Sequence, residues 1–121
     1  MTKRVVLPRI PCHLAKALAK HATRLRITPR AGQRLLTYDE LRRLSGQSFA
    51  VVGIGQHLQR IVDALYEQGL PHGLTLLVWS KEGKIDYGAG EWYGITPQNA
   101  LEHRKQVVDY DWSRVEFAEA Q

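Results

Sequence analysis

The sequence predicts an α+β fold that is mainly helical. Three observations carry that expectation. Residues 37–46 hold a complete helix start and stop, and residues 55–68 hold apolar positions at i, i+3, i+4 and i+7. Leu74–Trp79 is a β-rich apolar run followed by a glycine turn. The chain has 121 residues, with 44% hydrophobic and 24% charged, the size and balance of one globular domain. A disordered chain, a collagen and a coiled-coil rod are excluded on that balance.

Taken in order, Pro8 and Pro11 predict an extended or irregular first dozen residues, because proline disfavours helix at the residue before it. From His13 to about Arg26 the spacing is helical, with Leu14, Ala17, Leu18, Ala22 and Leu25 on one face. Lys16, Lys20 and Arg24, each four residues from the last, stack along another face. Thr28–Gln33, with Pro29 and Gly32, reads as a loop. Thr37 and Glu40 have the spacing of a capping box, and Leu36 and Leu41 that of its hydrophobic staple. A short helix is therefore expected from Tyr38 to about Leu44, burying Leu41 and Leu44 and stopped by Gly46.

The next helix is expected over Gly55–Gln68, burying Leu58, Ile61, Val62 and Leu65 and ended by Gly69 and Pro71. Gly53 and Gly55 conflict with a helix that includes both, at about 1 kcal/mol each. Either the helix starts near Gly55 or a backbone passes close by. Leu74–Trp79 is expected to pair with Lys84–Tyr87 as a β-hairpin across Lys81-Glu82-Gly83. Thr96, with Pro97 behind it, is expected to cap a last helix running to about Asp109, and Trp112–Phe117 reads as a final strand. Residues 1–34 thus read as a basic N-terminal extension with one helix, and residues 35–121 as the domain proper.

Charge is distributed unevenly. Net charge is +5, but residues 1–34 carry +9 with no acid, residues 35–81 carry none net, and residues 82–121 carry −4. A basic arm on a neutral-to-acidic body points to an anionic partner, first of all nucleic acid; its plainer reading is a solvated face. The arm has no Trp or Phe to insert, which argues against a membrane surface. No apolar run approaches the ~20 residues that span a bilayer. A single cysteine, Cys12, excludes an internal disulfide and a cysteine zinc cluster, so a reducing compartment, the cytoplasm, is expected.

Catalytic signals are thin. Phe49–Gly55 reads F-A-V-V-G-I-G, but Leu58 stands where a dinucleotide fingerprint needs its third glycine. The five histidines form no H-x-x-x-H pair, so no metal is expected. His57, beside Arg60 and Asp63 on a polar helix side, and His103 are the candidates for acid–base work; a solvated face is the plainer reading. Cys12, in P-C-H before a helix, reads as an inert thiol in the absence of a surrounding nucleophilic site.

The run T-Y-D-E-L-R-R-L-S-G at 37–46, followed by A-V-V-G-I-G-Q-H-L at 50–58, resembles the DNA-binding part of the alkylguanine-DNA alkyltransferases and alkyltransferase-like proteins. In that family a T-Y-G-E-[LI]-A segment opens a helix-turn-helix, and a segment such as R-A-V-G-x-A-L belongs to the recognition helix. The resemblance covers about residues 35–110. Two departures decide its chemistry. The family's acceptor cysteine lies in P-C-H-R after the recognition helix, where this chain reads L-T-L-L-V-W; its base-flipping arginine falls on Val52. The P-C-H at 11–13 precedes the helices, so alkyl transfer is not carried onto Cys12. The G-L-P…L-T-L-L-V stretch is also similar to small bacterial proteins of unknown function.

The resemblance implies a recognition helix with Gln47, Ser48 and Ala50 at its turn and start, Gln56 and Gln59 toward base edges, and Arg42, Arg43 and Arg60 near phosphates. Independently of it, a capped short helix, a longer amphipathic helix and a β-hairpin in that order make a winged helix-turn-helix-like core. The expectation is a non-catalytic DNA-binding protein, DNA before RNA, without cofactor, whose arm supplies phosphate contacts through Lys16, Lys20, Arg24 and Arg26. The rival is a protein–protein module, such as an adaptor or a toxin-neutralising partner, anchored by Trp92, Tyr93 and Trp112. A small nucleic-acid-acting enzyme using His57 or His103 is the third reading.

Overall fold

Helix α1, Arg9–Ile27, is the element on which the others pack in the computed structural model, which describes residues 2–27, 35–48, 53–79 and 93–120. It buries Pro11, Cys12, Leu14, Ala15, Ala17, Leu18, Ala19, His21, Ala22 and Leu25. Its start follows from its prolines. Pro11 lies in the first turn, where backbone N–H groups lack an intrahelical partner anyway, so the missing donor costs nothing. The first helical bond is Cys12 N–H to the Pro8 carbonyl, 2.9 Å. The four alanines, Ala15, Ala17, Ala19 and Ala22, let neighbouring backbones approach closely.

The chain ends meet beside α1. Strand β1, Lys3–Leu7, pairs in parallel with strand β4, Val115–Glu119, in the register Val5 to Phe117. Val5, Leu7 and Phe117 face inward, while Val6 is exposed, as the two-residue period of a strand requires. Lys3–Leu7 is thus extended, as expected, but residues 9–12 are not: the helix expected from His13 already begins at Arg9, because prolines fit its first turn. The described part of the segment read as an N-terminal extension shares one core with the rest. Val5, Leu18, Leu41, Leu58, Leu74, Val107 and Phe117 belong to a single buried cluster.

Strand β2, Leu36–Thr37, leads into α2, Tyr38–Ser45. Here the capping signals act as expected. Glu40 N–H donates to Thr37 Oγ1 at 3.1 Å, and Thr37 N–H donates to Glu40 Oε1 at 3.2 Å. Gly46 stops the helix at φ 69°, a left-handed conformation that costs an L side chain about 1–2 kcal/mol. Leu44 does not follow expectation: it is 51% exposed, and Ser45 is buried instead. Relative to the buried Leu41, the inward position is i+4, not i+3.

Helix α3, Ile54–Glu67, buries Ile54, Leu58, Ile61, Val62 and Leu65. It begins within one residue of Gly55, and a Cβ placed on Gly53 or Gly55 would meet nothing within 4 Å. The helix start therefore accounts for these glycines, not a close backbone. Its end is a Schellman motif. Gly69, at φ 69°, donates to the Tyr66 carbonyl at 3.1 Å, and Leu70 donates to that of Leu65 at 2.9 Å.

Leu74–Leu77 does not form the expected strand. His72–Leu77 is a 3-10 segment, and only Val78–Trp79 is strand, β3, paired in parallel with β2. Leu74, Thr75, Leu76 and Leu77 are all buried, and an apolar run covered on every side carries no period to separate strand from helix. The expected hairpin partner, Lys84–Tyr87, lies outside the described residues. The last helix, α4, is Ala100–Asp109. It starts three residues later than expected because Asn99, not Thr96, organises the turn. Asn99 Oδ1 accepts from Thr96 N–H at 2.8 Å, and its Nδ2 donates to the Gly94 carbonyl at 2.9 Å. Trp112–Arg114, expected within the final strand, is a 3-10 turn leading into β4. The architecture is α+β, with small parallel sheets flanking a helical core.

Replacing Thr37 by Ala removes one half of the capping box and exposes the other, and should cost about 1 kcal/mol in urea unfolding followed by circular dichroism. Leu44→Ala should change stability by less than about 0.5 kcal/mol. A loss of about 2–5 kcal/mol there, the range for a buried leucine, would contradict the placement of α2.

Candidate functional site

The basic row of α1 is positioned by the burial of the helix's other sides. Lys16, Lys20, Arg24 and Arg26 are exposed, while Ala17, Leu18, Ala19 and Ala22 between them are covered. Lys16 to Arg24 spans about 12 Å of helix axis at ~1.5 Å per residue. On this side α1 forms one wall of an open groove of about 820 Å³. Leu44 and Ser45, at the end of α2, close one part of it, and Asp111, Ser113, Glu116 and Phe117 form the facing wall.

That facing wall is acidic. His13 Nε2 lies 2.6 Å from Glu119 Oε1, so the row's N-terminal neighbour is already engaged by a carboxylate. Hydrogen bonds from the Ser113 hydroxyl and backbone hold the Asp111 carboxyl below its ordinary range, with Arg114 and Arg26 adding to the effect. The groove therefore sets the cations of α1 against carboxylates from the end of the chain.

The remaining expected residues are dispersed. Arg42 and Arg43 both pair with Asp39 on α2, the second at 3.4 Å. Gln47 donates its backbone N–H to Ser45 Oγ at 3.3 Å, and Ser48 and Gln56 are exposed. Gln59 is turned to its own helix, with Nε2 donating to Asp63 Oδ1 at 2.9 Å. Arg60 is away from the α1 row. It lines a separate pocket with His57, Pro8, Arg9, Ile10 and Pro11. Burial, then Arg60, lowers the pKa of His57, favouring the neutral imidazole.

A second cluster gathers titratable and aromatic groups that sequence spacing did not join. Tyr93 Oη donates to Asp63 Oδ1 at 2.6 Å, and its ring stacks on Tyr66 at 4.3 Å. That hydrogen bond, burial and the carboxylate's charge push the Tyr93 phenol up to about 12. His72 Nε2 lies 3.2 Å from the Tyr93 carbonyl, and the His72 and His103 rings are 5.2 Å apart. Thus His103, a candidate from the sequence, acquires His72 as a neighbour. The contact is made where Gly73 meets α4: a Cβ on Gly73 would come within 3.1 Å of His103 Cβ. No local signal in the sequence joins positions 63, 72, 93 and 103.

Cys12 is fully buried, and burial pushes its thiol up despite Lys16. A thiol in this state is a poor nucleophile. Among the described residues no group of three or more metal-ligating side chains is assembled, and no helix is long and apolar enough to cross a membrane. Compared with known protein families, curated proteins and solved structures, the chain matches none.

Burial, then the nearby His103, lowers the pKa of His72 below 6.5. A histidine harder to protonate when folded adds stability that is fully present above the unfolded pKa and is lost as pH falls from there through the folded pKa. Unfolding free energy should therefore fall as pH drops below about 7, and less so in His72→Gln. By proton NMR, the His72 midpoint should lie below that of a free histidine and rise in His103→Gln. An unchanged midpoint in that variant would remove the coupling.

Proposed function

We propose that this protein binds nucleic acid, DNA before RNA, without catalysing a reaction on it. One observation carries the reading: Lys16, Lys20 and Arg24 form an exposed row on a helix whose other sides are buried, with Arg26 lining the same groove. A row held by a core helix presents its charges at fixed spacing, so little ordering is left to be done on binding. In the duplex, phosphates of one strand recur every ~3.4 Å of rise, so about 12 Å of α1 covers three to four such steps.

On this reading α2 and α3, joined across residues 46–53, act as a helix-turn-helix in a winged-helix-like unit. Gln47, Ser48 and Gln56 sit near the junction and supply base-directed groups. The wing would come from the segment containing Lys84–Tyr87, outside the described residues. Arg42 and Arg43 meet phosphates only by exchanging Asp39 for them. The rival protein–protein reading is less favoured. Trp112 is buried with its Nε1 donating to the Val107 carbonyl, and Tyr93 is engaged with Asp63 and Tyr66. Trp92 lies outside the described residues.

Anisotropy of a labelled duplex across several salt concentrations tests the proposal. Each lost phosphate contact reduces the log–log salt slope by about 0.9, so Lys16→Glu/Lys20→Glu/Arg24→Glu should flatten it by about 3 and weaken binding to all sequences alike. Absence of duplex binding at low salt would overturn the reading, and an unchanged slope in the variant would remove the α1 row from it.

A further inference from the structure

We propose that the pocket between the first turn of α1 and the N-terminal part of α3 binds a phosphate group. The pocket holds about 420 Å³ and is lined by Pro8, Arg9, Ile10, Pro11, His57 and Arg60. Its charge distinguishes it. The α1 groove carries Asp111 and Glu116, and a third pocket, beside α4, carries Asp109. Among the described residues that line the Arg9–Arg60 pocket there is no carboxylate.

The two arginines are also uncommitted. Arg42, Arg43 and Arg114 each pair with an aspartate three or four residues away, whereas Arg9 and Arg60 form no ion pair with a described carboxylate. Neither helix brings an acid into its first turn to neutralise this corner. Both guanidinium groups are exposed and come from separate elements, so a ligand seated between them is held from two sides. A guanidinium presents paired N–H donors that match phosphate oxygens, which makes phosphate the anion this pair suits best. His57 lines the same pocket, and Pro8, Ile10 and Pro11 give an apolar wall. The volume exceeds what a phosphate alone fills, which leaves room for the group it is esterified to.

A phosphomonoester has two sources: the 5′ end of a nucleic acid, or a small phosphorylated compound. The site does not depend on the α1 row binding a duplex. Its test is NMR of the whole protein at constant pH, following the His57 ring and the Arg9 and Arg60 side chains. The probes are inorganic phosphate and ribose 5-phosphate, with chloride at matched ionic strength as control. Saturating shifts at these three residues, lost in Arg9→Gln and in Arg60→Gln, are expected. Both arginines are exposed, so the variants should keep the parent's melting temperature. Absence of saturation by about 20 mM inorganic phosphate, well above a millimolar site's Kd, would overturn the proposal, as would shifts that persist in both variants. A 5′-phosphorylated oligonucleotide binding about tenfold tighter than its 5′-hydroxyl form, with the gain lost in Arg60→Gln, would support the site and assign it to nucleic-acid ends. Equal binding of the two forms beside saturating ribose 5-phosphate would support it for small phosphorylated compounds. Duplex binding can fail while the phosphate shifts remain, and the reverse, so the two readings are separable.

Discussion

Helix α1 must hide three sides and show one, and the arrangement of the chain follows from that demand. Leu14, Leu18 and Leu25 alone make withdrawal from water worth about 1.5–3 kcal/mol each, so bare α1 is not an option. The helices α2, α3 and α4 and the 3-10 segment His72–Leu77 all pack on it, as does β4. None of these covers the Lys16–Lys20–Arg24 stripe, because burying three cations without partners would cost far more than the adjacent alanines return. The same helix is thus the centre of the core and the source of an exposed basic row.

Local signals were legible where a short segment carries its own partners. The capping box of α2 joins Thr37 and Glu40, three residues apart, and the Schellman end of α3 needs only Leu65 to Leu70. The α+β class could be read from such segments. Strand β1 could not, since its partner β4 lies more than a hundred residues away and only that pairing makes Lys3–Leu7 a strand. The excess of charge in residues 1–34 favoured reading them as an extension. Charge says which side of α1 meets water; it is silent on what packs against the other sides. Leu44, expected in the core, is exposed and Ser45 is buried for a related reason. On a helix of eight residues, the face that turns inward is decided by the neighbour, α1, rather than by which residue is more apolar.

The candidate site shows the same division. Spacing by four placed Lys16, Lys20 and Arg24 on one stripe without any tertiary information. The acids opposite them come from residues 111–119, and the Asp63–Tyr93 and His72–His103 pairings span 30 and 31 positions, so no periodicity within one element announces them. Gln59 and Arg60 are adjacent in sequence, yet one turns to Asp63 and the other to the Arg9 pocket. A resemblance in local sequence assigns both to one surface; a helix separates neighbours by about 100° and can send them to different ones.

The acidic wall then bears on how an anion meets this protein. Asp111 is held in its charged form by Ser113, so the wall stays negative through the neutral range. A duplex lowered into the groove would bring its phosphates against Asp111 and Glu116 as well as toward the lysines. Repulsion at close range offsets much of the attraction, and salt screens it little at separations below the ~8 Å Debye length of physiological salt. A backbone laid along the outer edge of α1 meets Lys16, Lys20 and Arg24 while keeping its distance from the carboxylates. On the proposed reading, the contact is therefore with the rim of the groove and not its floor. The acids confine the anion to one line along α1, and a charge pattern of this kind fixes orientation more than it adds affinity.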